Sequence, residues 1–416
     1  MARQADATGK TIVIIGTLDT KEEQLQHLKE RIAARGHKAV IMDVSTGGAA
    51  ATEAEITPKE LASLIGKDIE EMRRRRDRFS STEIITAGAR AKMTQLLADG
   101  KVDGAVALGG ASMAILGAQV MQVLPFGMPK VIATPAAMPA YLSKWFEAMD
   151  ILVMQVIMEF TGMNNLLEHA INRVAGVISG EVEESVPYTS LAVPVKSVAI
   201  TELGFTPACA HQVTEMMQAE GFNIFPFHAQ GISERAMEKL IGQGFFDGLI
   251  DIVTAGVIEE MFGGNRAAGK ERMDVLSKRE IPVVFTPSVV NLTGSGPTRK
   301  NREKYDKGPQ FKMDELRAMT RYPLDELIQA ASVYADKLNK AKGPVKIVVP
   351  LKGWSAIDRE GSALYNPKED MIFVEELAKH LNPRIEIIKV PCNLEDREFA
   401  GTLVDTFKAI SGGGHS

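Results

Sequence analysis

Lys10-Thr-Ile-Val-Ile-Ile-Gly-Thr-Leu-Asp-Thr-Lys-Glu-Glu23 decides the fold class. Thr11 to Ile15 is a short apolar run, Gly16 closes it, and a helical pattern then runs from Lys21 to Arg35. That order spells a buried strand, a tight turn and a helix N-terminus. In open α/β sheets, ligands bind at the carboxyl ends of strands, where loops meet helix N-termini. The loop here holds Gly16, Thr17, Asp19, Thr20 and Lys21, so hydroxyls, a carboxylate and an ammonium gather in it. Such a set suits a phosphate or a metal-phosphate ligand. Asp19 and Thr20 also suit a helix cap, and a cap uses only one of these groups.

The same alternation continues outward. Strand-like runs fall at 11–15, 39–44, 104–108, 130–134 and 151–156. Helical periodicity is read over 22–35, 58–77, 82–99, 112–124, 139–148 and 162–179. Residues 181–194 carry acidic residues and two prolines without a period, and a domain break is expected there. Beyond it, strands are read at 197–201, 223–226, 248–253, 282–285, 345–349 and 385–390. Helices are read at 209–220, 233–243, 270–278, 324–341, 368–380 and 398–410. The expected fold is α/β: two tandem Rossmann-like domains, 1–185 and 190–416, with mainly parallel sheets and an interdomain cleft as the ligand site. Residues 293–309 interrupt the pattern with Gly, Pro and basic residues, which suggests a lid, a binding loop or disorder.

Composition narrows the function. The chain has 416 residues, 45% apolar and 24% charged, which is ordinary for a globular protein of two domains. A net charge of −5 gives no basic excess for nucleic acid. The run Lys67 to Arg78 mixes signs and reads as a solvated helix face. Cys209 and Cys392 are the only cysteines, too few for a disulfide framework, which fits a reducing compartment. No leader-like segment and no membrane-length apolar run is read, so a cytoplasmic protein is expected.

Other strand ends carry polar residues. Ser45, Thr46 and Gly47 follow one strand; Gly109, Gly110 and Ser112 follow another, directly before a helix; Thr134 ends a third. Glycines there let backbone N–H groups approach a phosphate, though they also make ordinary turns. In the second half, Glu202, His228, Asp251 and Lys352 lie in or after strands, and Glu202, His228 and Lys352 are the candidate catalytic set. A strand-end histidine also serves as a purely structural hydrogen-bonding residue. No nucleophile elbow, no Walker loop and no His-x-x-x-His spacing occurs, so the sequence names no metal ligands.

Six segments in order carry a resemblance: Gly16–Glu23, Ala107–Ala114, Gly162–Gly180, Leu203–Val213, Phe227–Glu238 and Pro350–Gly361. Together they resemble an ATP-binding family whose known member is the N-terminal region of the tomato mosaic virus resistance protein. The resemblance spans about Thr11 to Ala400. It implies two Rossmann-like subdomains, ATP with Mg²⁺ between them, and a homodimer or higher homo-oligomer. The chain departs from the family at the loops. Gly109-Gly-Ala-Ser-Met-Ala114 stands for a Gly-Gly-Ser-Gly-Gly-Thr-like loop, and Thr134-Pro-Ala-Ala137 for a Ser-Thr-like element. Val156-Ile-Met-Glu159 replaces a Ser-Val-x-Asp-like element, and Lys307-Gly308 a His-Asn pair. Three functions follow as expectations: a nucleotide-binding enzyme acting on a small anionic molecule, a non-catalytic ligand-binding or regulatory protein, or a carbon–carbon bond hydrolase or lyase using His228 as acid–base.

Overall fold

The computed structural model describes residues 9–48, 51–75, 77–137, 148–186, 195–297 and 299–412. The chain forms two compact units, Met1–Ala192 and Val193–Ser416. In the first unit the elements run β1 (Thr11–Gly16), α1 (Leu18–Ala33), β2 (Lys38–Asp43), α2 (Pro58–Leu64), α3 (Ile69–Arg75) and α4 (Arg78–Ala98). They continue with β3 (Gly104–Leu108), α5 (Ala111–Met121), β4 (Lys130–Thr134), β5 (Leu152–Gln155) and α6 (Asn165–Glu184). The strands form one parallel sheet in the order β2-β1-β3-β4-β5. Because strand side chains alternate, Ile12 and Ile14 pack with α1 and α6, while Val13 and Ile15 pack with α2, α4 and α5. Burial on both faces is what makes β1 read as a continuous apolar run.

The second unit begins with β6 (Ser197–Glu202), α7 (Pro207–Ala219), β7 (Asn223–His228), α8 (Ile232–Gly242), β8 (Gly248–Asp251), α9 (Gly256–Met261) and β9 (Val283–Phe285). An insertion follows: β10 (Leu292–Gly294), α10 (Arg302–Tyr305), β11 (Gln310–Lys312) and β12 (Ala318–Arg321). The unit ends with α11 (Leu324–Asn339), β13 (Val345–Pro350), α12 (Pro367–His380), β14 (Glu386–Val390) and α13 (Arg397–Ile410). Six strands form a parallel sheet, β14-β13-β9-β8-β6-β7. Helices α7 and α13 cover one face with Val213, Met217, Leu403 and Phe407. On the other face the rings of Phe285, Tyr334, Phe373 and Trp354 form a chain of tilted and edge-on contacts. Strand β7 is one of the two edge strands, with an exposed Pro226 at its middle.

The expected α/β architecture with two mainly parallel sheets is present. Some local readings differ. Residues 293–309 are not featureless: they hold the end of β10 and helix α10, and β10 pairs antiparallel with β12, which also pairs with β11 in a three-stranded sheet. Strands of three residues are too short to show alternation. The helix read over 58–77 is broken, with Gly66 at φ +69 between α2 and α3. The helix read over 270–278 is a single 3-10 turn, Asp274–Ser277, entered through Met273 at φ +74. Most of the helix read at 139–148, and residues 187–194 of the expected break, lie outside the described residues.

Candidate functional site

In a sheet ordered 2-1-3-4-5 the chain leaves β1 toward one side and β3 toward the other, so their loops part and open a crevice. Two helix N-termini, of α1 and α5, meet it. Each helix begins with N–H groups that have no partner within the helix.

At α1 those groups are already used. The helix begins at Leu18, not at Lys21 as expected, and neither Asp19 nor Thr20 caps it. The Leu18 N–H donates to Asp43 Oδ1 at 3.1 Å and the Asp19 N–H to Ser45 Oγ at 3.2 Å. The N–H groups of Thr20 and Lys21 donate to the Thr17 carbonyl at 3.3 and 2.9 Å. Ser45 is fixed in turn, its N–H and hydroxyl both donating to Asp43 Oδ1. Asp43 is thus a built-in anion at the positive end of α1. The Thr17 and Thr20 hydroxyls bond each other at 2.8 Å.

Among the described residues, nothing comparable closes the helix at α5. Gly110 is the N-cap, no side chain caps it, and the ladder starts with the Ala114 N–H on the Gly110 carbonyl at 2.9 Å. A Cβ on Gly110 would meet no atom within 4 Å. Gly109 is different: a Cβ there would stand 2.7 Å from the Met113 side chain, so only glycine fits. Ser112 is exposed in the first turn.

Lys21 departs from helical geometry, with φ −139 and ψ 34, inside α1. Its side chain passes Gly109, with Cε 3.6 Å from where a Cβ would be, and its Nζ reaches the Phe160 carbonyl at 3.4 Å. Asp19 lies against Gly47, whose Cβ position is 2.7 Å from Asp19 Oδ2. Its other oxygen, Oδ1, is buried without a hydrogen-bond partner. Thr134 is fully buried and its hydroxyl accepts from the Ala136 N–H at 3.2 Å. Gly16, Thr17, Asp19, Lys21, Gly109, Gly110 and Ser112 therefore frame one crevice, while Thr134 is engaged in its own turn.

In the second unit, Glu202 and His228 are in-register neighbours on β6 and β7. In-register residues face the same side of a sheet. His228 is exposed and ends its strand rather than following it. Asp251, the other strand-end carboxylate, is committed elsewhere. It accepts from the Thr201 hydroxyl at 2.8 Å and from Arg272 Nη2 at 2.9 and 2.7 Å. Lys352 is exposed after β13, three strands from β6, a separation of roughly 14 Å. The expected set Glu202, His228 and Lys352 thus divides into a pair and a remote lysine. Between them the carboxyl ends of β8, β9 and β13 are closed over: Thr254 Oγ1 donates to the Thr286 carbonyl and Ser288 Oγ to the Trp354 carbonyl, each at 2.9 Å.

Among the described residues, no group of three or more His, Cys, Asp or Glu side chains is placed to hold a metal ion. No helix among them is long and apolar enough to cross a membrane.

Residues 10–187 match the N-terminal domain, and residues 195–411 the C-terminal domain, of the Uncharacterised protein family (UPF0261). The chain belongs to this family. A UPF0261 protein of Clostridium tetani (strain Massachusetts / E88) is 30% identical over 94% of this chain and 96% of its own length. The ToMV resistance protein Tm-1(GCR237) of Solanum lycopersicum is 28% identical over 98% of this chain, which spans only 56% of the tomato protein. Among solved structures, the UDP-GlcNAc 2-epimerase of Methanocaldococcus jannaschii is 10% identical with a TM-score of 0.22, over 97% of this chain and 93% of that one. A superposition that loose transfers neither a site nor an activity.

This UPF0261 chain also holds buried charges that the sequence reading missed. Asn291 Nδ2 donates to Asp358 Oδ2 at 2.7 Å and to Asp370 Oδ1 at 2.9 Å, and Arg321 Nη2 donates to the same Asp370 oxygen at 2.5 Å. Burial pushes the Asp370 carboxyl up to about 7 against the pull of Arg321, and Asp358 beside it adds to the rise. Burial likewise raises Glu234 and Glu238, against the pull of Arg272. A signal was present. Asp370 occupies the inward stripe of α12, in line with Phe373, Val374 and Leu377, and Glu234 stands likewise before Met237 and Ile241. A carboxylate at the spacing of core residues marks a buried charge.

Proposed function

We propose that the first domain binds a phosphate-bearing nucleotide, ATP in the simplest case, at the crevice between β1 and β3, in a metabolic enzyme acting on an acidic small molecule. The observation that carries this is the contrast between the two helix ends. Asp43 already supplies the anion for α1, whereas the α5 N-terminus offers its N–H groups beneath Gly110 with open space above it. The residues fit the implied groups. Ser112 and the first-turn N–H groups of α5 would hold phosphate oxygens, with Lys21 alongside. Asp19, whose Oδ1 is buried without a partner, would hold Mg²⁺. Mg²⁺ would supply neutralisation of phosphate charge.

Gly110→Asp is the test. Gly110 has φ −70 and ψ −172, a conformation that Asp adopts as an N-cap, and the added side chain meets nothing. The variant should fold and lose ATP binding by calorimetry, with and without Mg²⁺. Undiminished binding in the variant, or none in the unaltered chain, overturns the reading.

A second reading rests on the Glu202–His228 register. A solvent-accessible imidazole beside a carboxylate can pass a proton, as a carbon–carbon hydrolase or lyase requires. His228→Asn, which keeps one hydrogen bond but does not titrate, should abolish such turnover in a folded protein. Retained turnover removes His228 from the chemistry.

A further inference from the structure

Two arginine clusters lie inside the second domain, and they differ in how their hydrogen bonds close. Arg272 uses both sides of its guanidinium: Nε on Glu234 at 2.9 Å, Nη1 on Glu238 at 2.8 Å, and Nη2 on both oxygens of Asp251. Arg266 and Arg299 share a single carboxylate, Glu259. Arg266 Nη2 donates to Glu259 Oε1 and to the Leu292 carbonyl, each at 2.8 Å. Arg299 meets Glu259 only as an ion pair, with Nη1 3.9 Å from Oε2. It donates Nη2 to the Phe262 carbonyl at 3.1 Å and stacks 4.2 Å from the centre of the Tyr305 ring.

Among the described residues, that leaves Arg266 Nη1 and Arg299 Nε and Nη1 buried without a well-aligned acceptor, with the Tyr305 hydroxyl and Glu259 beside Arg299. The two arginine side chains are 8% and 0% exposed. Three buried hydroxyls lie beside them, Thr293, Ser295 and Tyr322, of which those of Thr293 and Tyr322 face each other and can satisfy only one of the pair as donor. Of the sixteen buried polar atoms without a well-formed hydrogen bond among the described residues, six belong to this one group, so the shortfall is local rather than general. Thr293 and Ser295 are two apart, and Thr293 lies opposite Thr320, itself two residues from Tyr322. The three hydroxyls therefore share one face of the small sheet. All six atoms can donate, and two guanidinium groups face one carboxylate. Buried donors without acceptors, and a buried cation in excess, are both costly unless an anion completes them. The neighbouring carboxylates do not serve, because Glu234 and Asp251 are bonded to Arg272. Gly264 closes the cluster from its own side: a Cβ there would stand 1.7 Å from Glu259 Oε2 and 2.5 Å from Arg299 Nη1. Ser295 also lines an open hollow of about 630 Å³ of mixed charge, where Arg302 pairs with Asp306 and Arg317 with Asp314, and Lys312 faces the same space as Glu315.

We propose that this is a second ligand site, in which Arg266, Arg299, Thr293, Ser295 and Tyr322 hold the oxygens of a small carboxylate- or phosphate-bearing compound whose remainder lies in the hollow. It is independent of nucleotide binding in the first domain.

Calorimetric titration of the full chain with inorganic phosphate, and separately with malonate, tests it. Saturable binding of at least one anion is expected, weakened about tenfold or more by Arg299→Met and severalfold by Ser295→Ala or Tyr322→Phe. Gly110→Asp should leave it unchanged. A response to malonate alone assigns the site to carboxylates, and to phosphate alone to phosphoryl groups. No saturable binding of either anion overturns the proposal, as does equal affinity in Arg299→Met. Binding removed by Gly110→Asp would place the anion in the first domain and also overturn it. Should Arg299→Met fail to fold, Ser295→Ala and Tyr322→Phe decide, and unchanged affinity in both overturns it.

Discussion

The two helix ends at the β1/β3 crevice carry the same backbone chemistry and meet opposite fates. The α1 terminus is bound by Asp43, Ser45 and the Thr17 carbonyl, while among the described residues no side chain caps the α5 terminus at Gly110. A helix N-terminus is a ligand site only where the protein has not supplied its own anion. Arg272 and Arg299 repeat the contrast between cations: the first is closed by three carboxylates, the second has donors without a well-aligned acceptor among the described residues. Closed networks should fail as stability, and open ones as binding.

Arg272→Met should show the largest effect. It would strand three buried carboxylates, and removing one partner of a buried pair costs about 3 to 5 kcal/mol. Urea unfolding should show that loss or no folded protein at all; a loss near zero would show that the network is not closed. Next comes pH. Asp370 holds its proton in the folded chain up to about 7, whereas its ordinary value is 3.8. Between those values the folded state binds a proton that the unfolded state has released. This carboxyl's contribution to stability therefore falls as pH rises through the window, by about 1.4 kcal/mol per unit, and is flat above it. Asp370→Asn should remove that slope from a stability–pH series, and an unchanged slope would assign it to other groups.

Asp43→Ala should cost roughly 2 kcal/mol, because it orphans the Leu18 N–H and the Ser45 donors and removes a charge from the α1 terminus. Gly110→Asp is the converse and the smallest: because glycine is already a fair N-cap, the new side-chain cap should raise stability by only about 0.3 kcal/mol. If Asp43→Ala were neutral and Gly110→Asp destabilising, the two termini would not differ as described.

Most of the architecture was legible because parallel strands buried on both faces leave compact apolar runs, as at Val131–Ala133 and Ile347–Val349. What escaped was decided by pairing at a distance. The ladder of Thr293 with Thr320 spans a loop and a short helix, and no local pattern announces it. At the site, Gly109, Gly110 and Lys21 were readable as strand-end residues. The occupation of α1 was not, because it depends on Asp43, the last residue of a neighbouring strand. Arg299 was legible only as one cation of the basic run 293–309, and Arg266 gave no signal, since burial of a long cation leaves no trace in sequence period.

Pro226 bears on a different matter. The Asn223 N–H donates to the Lys196 carbonyl and the Ala229 N–H to the Glu202 carbonyl. N–H groups along a strand alternate in direction, so residues 223, 225, 227 and 229 face β6 and residue 226 faces outward. Proline there sacrifices no ladder bond and deletes a donor from the open rim of the sheet. Strand β7 carries Phe225 and Phe227, the kind of sequence that invites a passing chain to dock and nucleate aggregates. The proline denies such a chain its template, leaving this rim as a terminus at which the sheet stops growing.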